Sequence, residues 1–247
     1  MSIFVIKIIA CITMFLDHVK YAIPNTRCFA TEYLGRISFP LFAFLVGEGY
    51  YHTSNLKKYY ARLVVFALIS QIPFMLFRTL VGEWKMLNIM FTLILGLICI
   101  NVFDKFEKKY YFSIPIIIAV IFVGELLHVD YGWYGVLTVF ALYLCRKNKF
   151  LRVFCFVFVC SLYYIKKLFY MYSVQNLMPY IFSILSVFLL LFYNGKLGRK
   201  IKYLYYIFYP AHMLILYIIS MIFLWKWLFF EKWKKVLLKL FLYVKII

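Results

Sequence analysis

Acidic side chains are scarce in this 247-residue chain: nine Asp and Glu stand against 28 Lys and Arg. Charged residues of both signs make up only 15%, well short of the quarter usual in a soluble domain. So little polar surface excludes a water-soluble globule. No C-x-x-C pair, Walker loop, G-x-S-x-G or dinucleotide fingerprint occurs. That removes the disulfide-framework, P-loop, serine-hydrolase and Rossmann readings. Six cysteines are scattered, mostly through apolar runs, and four histidines lie in separate segments without ligand spacing. No metal site is expected. There is no internal repeat and almost no room for a soluble domain.

What remains is apolar: 66% of residues are hydrophobic and mean hydropathy is +0.91. The expected fold is all-α, a polytopic transmembrane bundle of about nine spans. The candidates are 3–23, 37–52, 60–78, 87–103, 111–128, 132–146, 150–165, 177–193 and 203–224, with eight or ten spans also compatible. Lys7 interrupts the first apolar stretch and no small-residue cleavage site follows it, so it reads as a retained span. Residues 1–225 would form the membrane domain. The tail 226–247, where Trp, Leu and Phe alternate with lysines, reads as a basic amphipathic helix at the interface.

The net charge of +19 follows from loop composition. Lys57/Lys58, Lys105/Lys108/Lys109, Arg146/Lys147/Lys149/Arg152 and Lys196/Arg199/Lys200/Lys202 sit in alternate loops, whereas 129–131 has no basic residue. This is the positive-inside pattern of a protein in the cell membrane, with the N-terminus in the cytoplasm and anionic lipids as partners. Nucleic acid is not expected. The tail carries lysines too, and nine spans would leave it outside.

Against this background the polar residues fall into clusters. Asp17-His18, Arg36, Asn88, Glu125 and Asp130 belong to the outer side; Glu48, His52, Arg62, Lys58, Asn194 and Lys196 belong to the inner side. His212 lies within the last span, two residues after Pro210. An acidic residue at mid-membrane costs about 2.5–3.5 kcal/mol and marks function. Neighbours on a helix diverge by about 100°, so Asp17 cannot orient His18 directly. Asp17 paired with a cation such as Arg36 would leave His18 free as a general base. The alternative is a structural ion pair beside a core histidine. Glu48 and His52 are one turn apart and form either an acid–base pair or a polar helix end.

The blocks Lys7-Ile8-Ile9-Ala10, Met14-Phe15-Leu16-Asp17-His18, Gly35-Arg36-Ile37-Ser38-Phe39-Pro40, Glu48-Gly49, His52-Thr53 and Tyr59-Tyr60-Ala61-Arg62-Leu63 occur in order. Ser70-Gln71-Ile72-Pro73-Phe74, Asn88, Phe91-Thr92, Gly96, Glu125 and Asp130-Tyr131-Gly132-Trp133-Tyr134-Gly135 follow. Tyr193-Asn194-Gly195-Lys196-Leu197-Gly198 and Tyr209-Pro210-Ala211-His212 close the series. Together they resemble the TraX family of bacterial membrane proteins, named for the enzyme that acetylates the N-terminus of F-type pilin. The resemblance implies an integral membrane acetyltransferase drawing on cytosolic acetyl-CoA. His18, Asp17, Arg36 and Asp130 would form the catalytic cavity, with Arg62, His52, Glu48, Lys58, Asn194 and Lys196 toward acetyl-CoA. Asn88, Glu125 and His212 are further polar candidates. The acceptor would be an amine or hydroxyl, on a pilin-like or other membrane protein. A secondary transporter or proton-coupled channel would use similar intramembrane residues, and a non-catalytic assembly factor would not need His18.

Overall fold

A segment crossing lipid must satisfy its backbone polar groups internally, and a helix does so within one segment. The computed structural model describes residues 1–83, 85–107, 109–170, 174–199 and 203–244. They form α1 (Ile3–Ala22), α2 (Phe29–Tyr33), α3 (Ser38–His52), α4 (Leu56–Thr79), α5 (Ile89–Lys105), α6 (Tyr110–Leu126), α7 (Gly132–Leu144), α8 (Lys149–Tyr170), α9 (Val174–Leu191) and α10 (Leu204–Val244). A 3-10 turn, Leu34–Ile37, joins α2 to α3. The nine helices other than α2 occupy the nine stretches expected from hydropathy. Among the described residues the extended structure is limited to one bridge, Leu87 to Val129.

Polar side chains start the helices where the loops supply them. Ser2, Asn55 and Asn88 accept hydrogen bonds from the backbone N–H groups of Val5, Lys58 and Met90 at the heads of α1, α4 and α5. Asn88 does more. Its amide donates to Ala67 O at 2.7 Å and Gln71 Oε1 at 2.9 Å, tying α5 to α4.

α3 is the buried centre, with ten of its fifteen residues inside, from Ser38 to Glu48. A helix that is apolar all round belongs in the interior. α1, α5, α7 and α9 pack around it, and α10 packs on α1 and α4. α6 is peripheral, with only Ser113, Ile117 and Gly124 buried. The outward faces are apolar: Ile72 on α4 is 69% exposed and Phe122 on α6 61%. That exterior suits lipid.

Among the described residues, three stretches are long and apolar enough to cross a bilayer by length and composition: Phe29–His52, Leu56–Thr79 and Tyr205–Trp227. α1 is nearly as long but carries Lys7, Asp17 and Lys20. α7, with 13 residues, rises only about 20 Å, short of a hydrocarbon core of about 30 Å. α10 runs through residue 225 without a break for 41 residues, about 60 Å. The side chains of Lys232, Lys234, Lys235 and Lys239, and all of Lys108, Lys200, Lys202 and Lys245, lie outside the described residues.

Close backbone approach sets the α5–α7 crossing. A Cβ on Gly96 would lie 2.5 Å from Val139 Cβ. Gly96→Ala is expected to lower stability by about 1–3 kcal/mol, read as a lower Tm in detergent. Ile118→Ala, at a residue of α6 that is 60% exposed, serves as the neutral control. Equal melting of Gly96→Ala and wild type would refute the tight crossing.

Candidate active site

Three spaces lie in series through the bundle. At its basic end, a chamber of about 420 Å³ is lined by Lys7, His52, Arg62, Arg199, Tyr205 and Tyr206, with apolar residues between. At the other end, a chamber of about 580 Å³ is lined by Asp17, His18, Arg36, Arg78, Glu83, Glu125, His128, Asp130 and an aromatic wall. A narrow cavity of about 60 Å³ adjoins both. It shares Phe42, Met90, Leu93 and Tyr205 with the basic chamber, and Asp17, His18, Asp130 and Tyr131 with the acidic one. Eleven residues of α1 separate Lys7 from His18, about 16 Å along the axis.

His18 stands where the narrow cavity meets the acidic chamber, and its partner is on the last helix. His18 Nδ1 lies 3.0 Å from His212 Nε2, and His212 Nδ1 lies 2.7 Å from Phe208 O. A carbonyl oxygen can only accept, so His212 carries its proton on Nδ1. The neutral ring then has a lone pair at Nε2, and His18 Nδ1 must donate to it. His18 Nε2 therefore keeps a lone pair, as a general base requires. Phe208 stacks on His212 at 4.7 Å, and Phe77 meets His18 edge-on at 5.1 Å, which holds both rings.

Asp17 departs from the expected pairing. Its ion pair is with Lys20, one turn along α1, at 2.8 Å, and Arg36 makes no ion pair with it. Lys20 is fully within reach on the same helix face, and its side chain is only 2% exposed. Arg36 still stands near enough for its charge to act on Asp17. Its Nε is buried without a partner among the described residues, and its side chain lines the acidic chamber. Gly35 makes this closeness possible: a Cβ there would fall 2.2 Å from Asp17 Cβ.

Asp130 is displayed by a heavily constrained turn between α6 and α7. Leu87 N donates to His128 O at 3.1 Å and Asp130 N donates to Leu87 O at 2.9 Å. Thr92 Oγ1 donates to Asp130 O, and Trp133 N donates to Glu125 Oε2 at 3.2 Å. His128, Tyr131 and Gly132 all have positive φ. Residues held in that region persist where surroundings over-determine them, often at functional sites. Phe39 stacks on Tyr131 at 4.0 Å and braces the turn from α3. Burial pushes the Asp130 carboxyl up to about 6, with the Arg78 charge pulling it down and Asp17 adding to the rise.

The remaining candidates divide. Arg62 and His52 reach the basic chamber, and Arg62 Nε is buried there without a partner. Glu48 instead accepts from Tyr193 Oη at 2.8 Å and sits 3.6 Å from His52 Nε2, bracing α3 against the end of α9. Lys58 is exposed at the head of α4. Asn194 and Lys196 form an exposed turn pinned to the chain's start: Asn194 N donates to Met1 O, and Ile3 N to Lys196 O. Asn88 is a helix tie, as described above. Lys7, Arg78, Tyr205 and Tyr209 line the spaces without having been singled out from sequence.

The family described as TraX protein matches residues 2–220. A curated relative, the "Probable fimbrial assembly protein FimC, serogroup H1" of Dichelobacter nodosus, is 28% identical over 236 residues, covering 87% of this chain and 94% of that protein. No solved structure matches the chain.

The Asp130 environment has a direct readout. The side-chain carboxyl ¹³C resonance of Asp130 should titrate near pH 6, and Arg78→Gln should move the midpoint upward, because the Arg78 charge favours the carboxylate. A midpoint near 4 that ignores Arg78 would refute the buried placement.

Proposed function

The chain belongs to the TraX family, and we propose from that premise that it is a multi-span acetyltransferase of the bacterial cell membrane. It takes acetyl from cytosolic acetyl-CoA and passes it to an amine or hydroxyl of an acceptor at the opposite face. The observation that carries this reading is the position of His18, with an unprotonated Nε2, on the wall shared by a narrow cavity and the acidic chamber.

The basic chamber suits the nucleotide end of acetyl-CoA. Lys7, Arg62 and Arg199 supply positive charge for phosphates, and Tyr205 and Tyr206 supply apolar ring surface. Loops rich in Lys and Arg flank this end, which the positive-inside rule assigns to the cytoplasm. The narrow cavity is large enough for an acetyl group and far too small for the nucleotide. The acidic chamber, open to the other side of the bundle, receives the acceptor. The named role of the relative in fimbrial assembly supports a pilin-like protein as that acceptor.

In the reaction, the acceptor N–H or O–H gives its proton to His18 Nε2 as its nitrogen or oxygen attacks the acetyl carbonyl carbon. The C–S bond then breaks, and the CoA sulfur leaves as a thiolate that takes up the proton from His18. His212 holds His18 in the required tautomer throughout. Asp17, Arg36 and Asp130 set the charge of the chamber in which the acceptor waits.

Purified protein in liposomes, given labelled acetyl-CoA and a pilin N-terminal peptide, tests the reading. Wild type should label the peptide, and His18→Ala should lose about 10²–10⁴-fold in kcat. Arg62→Ala should raise KM for acetyl-CoA about tenfold with kcat nearly kept, as expected when ground-state binding is lost. Absence of transfer and of acetyl-CoA hydrolysis by wild type, together with solute flux, would replace the enzyme by the transporter.

A further inference from the structure

Tyr209 is 3% exposed and lines the narrow cavity that His18 also lines. Its hydroxyl is buried and has no hydrogen-bond partner among the described residues. Leaving such a group unpaired costs about 1–3 kcal/mol, so a hydroxyl kept in this state calls for a reason. The backbone N–H of Ile89, at the head of α5, faces the phenol oxygen; it is a donor and leaves the phenol's own proton unused. Tyr209 sits three residues before His212, on the same face of α10, with ring centroids 5.8 Å apart. One helix thus carries both the residue that orients the base and, facing the cavity, an unused proton donor.

We propose that the Tyr209 hydroxyl donates to the carbonyl oxygen of the transferred acetyl group and stabilises the oxyanion formed on attack. The proposal rests on the acetyl-transfer reading and assigns it a second catalytic residue. As the acceptor's nitrogen or oxygen bonds to the carbonyl carbon, the C=O π pair moves onto oxygen, where Tyr209 O–H meets it. The acceptor proton goes to His18 Nε2. On collapse the pair returns, the C–S bond breaks, and the thiolate takes the proton from His18. The products are the acetylated acceptor and free CoA, with Tyr209 unchanged. A buried donor already held in place needs little reorganisation as charge develops, which makes it effective. Tyr205, one turn earlier, also has an unpartnered hydroxyl, but it lies at the boundary with the basic chamber and beneath the Lys7 ammonium, 4.8 Å from its ring.

Tyr209→Phe removes one oxygen and keeps the ring. In full-length protein in liposomes it should lower kcat about 10²–10³-fold, the usual effect of deleting one oxyanion donor, and leave KM for acetyl-CoA within about twofold. Tyr60→Phe, which deletes a buried tyrosine hydroxyl outside the three spaces, should leave kcat unchanged. Replacing Tyr209 by fluorotyrosines of rising acidity keeps the hydroxyl, and kcat should change in step with phenol acidity. This series also decides the matter if Tyr209→Phe fails to fold. A Tyr209→Phe enzyme within about threefold of wild type, or a flat fluorotyrosine series, with His18→Ala inactive, overturns the Tyr209 proposal and leaves acetyl transfer standing. A wild-type protein that neither transfers nor hydrolyses acetyl from acetyl-CoA overturns both.

Discussion

The hydrogen bond from His18 Nδ1 to His212 Nε2 joins the first long helix to the last, 194 residues apart. The chemistry proposed here depends on it. Phe208 O fixes the proton on one face of His212, His212 fixes the proton on one face of His18, and the remaining nitrogen is left as a base. Neither ring needs a carboxylate for this. That separates the site from arrangements in which an acid orients the imidazole, and it frees Asp17 and Asp130 to act on the chamber and its contents. The packing of α1 on α10 is therefore a condition of the proposed chemistry as well as part of the fold.

Polar groups inside this apolar bundle fall into two kinds. Some are spent on pairing with one another, within α1 for Asp17 with Lys20 at 2.8 Å, and between elements for Glu48 with Tyr193 at 2.8 Å and Tyr143 with Asp104 at 2.5 Å. Paired in this way they can be kept away from water. Others are left without a partner for at least one buried atom, and Arg36, Arg62, Tyr205 and Tyr209 among these line the three spaces. These four lie along the three spaces, from basic chamber to acidic chamber. In the proposed reaction, the phosphates of acetyl-CoA would meet the cations and its acetyl end the hydroxyl and imidazole.

Much of the fold was legible because hydropathy alone marks helices that must bury or coat themselves with apolar groups. Each of the nine apolar stretches became a helix. The short α2 and the 3-10 turn escaped because they lie in a segment with no clear period. Within the site, Asp17, His18 and Arg36 are recognisable from the cost of placing them in lipid, and Asp130 from the outer polar cluster and the block Asp130-Tyr131-Gly132. Asp17 does pair with a cation, but the one in contact is Lys20, one turn away on the same helix, with Arg36 acting from farther off. The His18–His212 bond was beyond reach, since no sequence spacing connects residues 194 apart. Lys7 could have been found: Lys7, Met14 and His18 recur at i, i+7 and i+11, one face of a helix. Tyr205, Tyr209 and His212 form a similar stripe on α10. Asn88 and Glu48 show the limit of the cost argument, because Asn88 binds α4 to α5 and Glu48 braces α3 against the end of α9.

The central claim is the tautomeric order that leaves His18 Nε2 unprotonated. Site-resolved ¹⁵N spectroscopy of histidine-labelled protein near pH 7 tests it directly. The account predicts protons on Nδ1 of both His18 and His212, and a scalar coupling across the hydrogen bond from His18 Nδ1 to His212 Nε2. A proton found on His18 Nε2, or no coupling between the two rings, would contradict it.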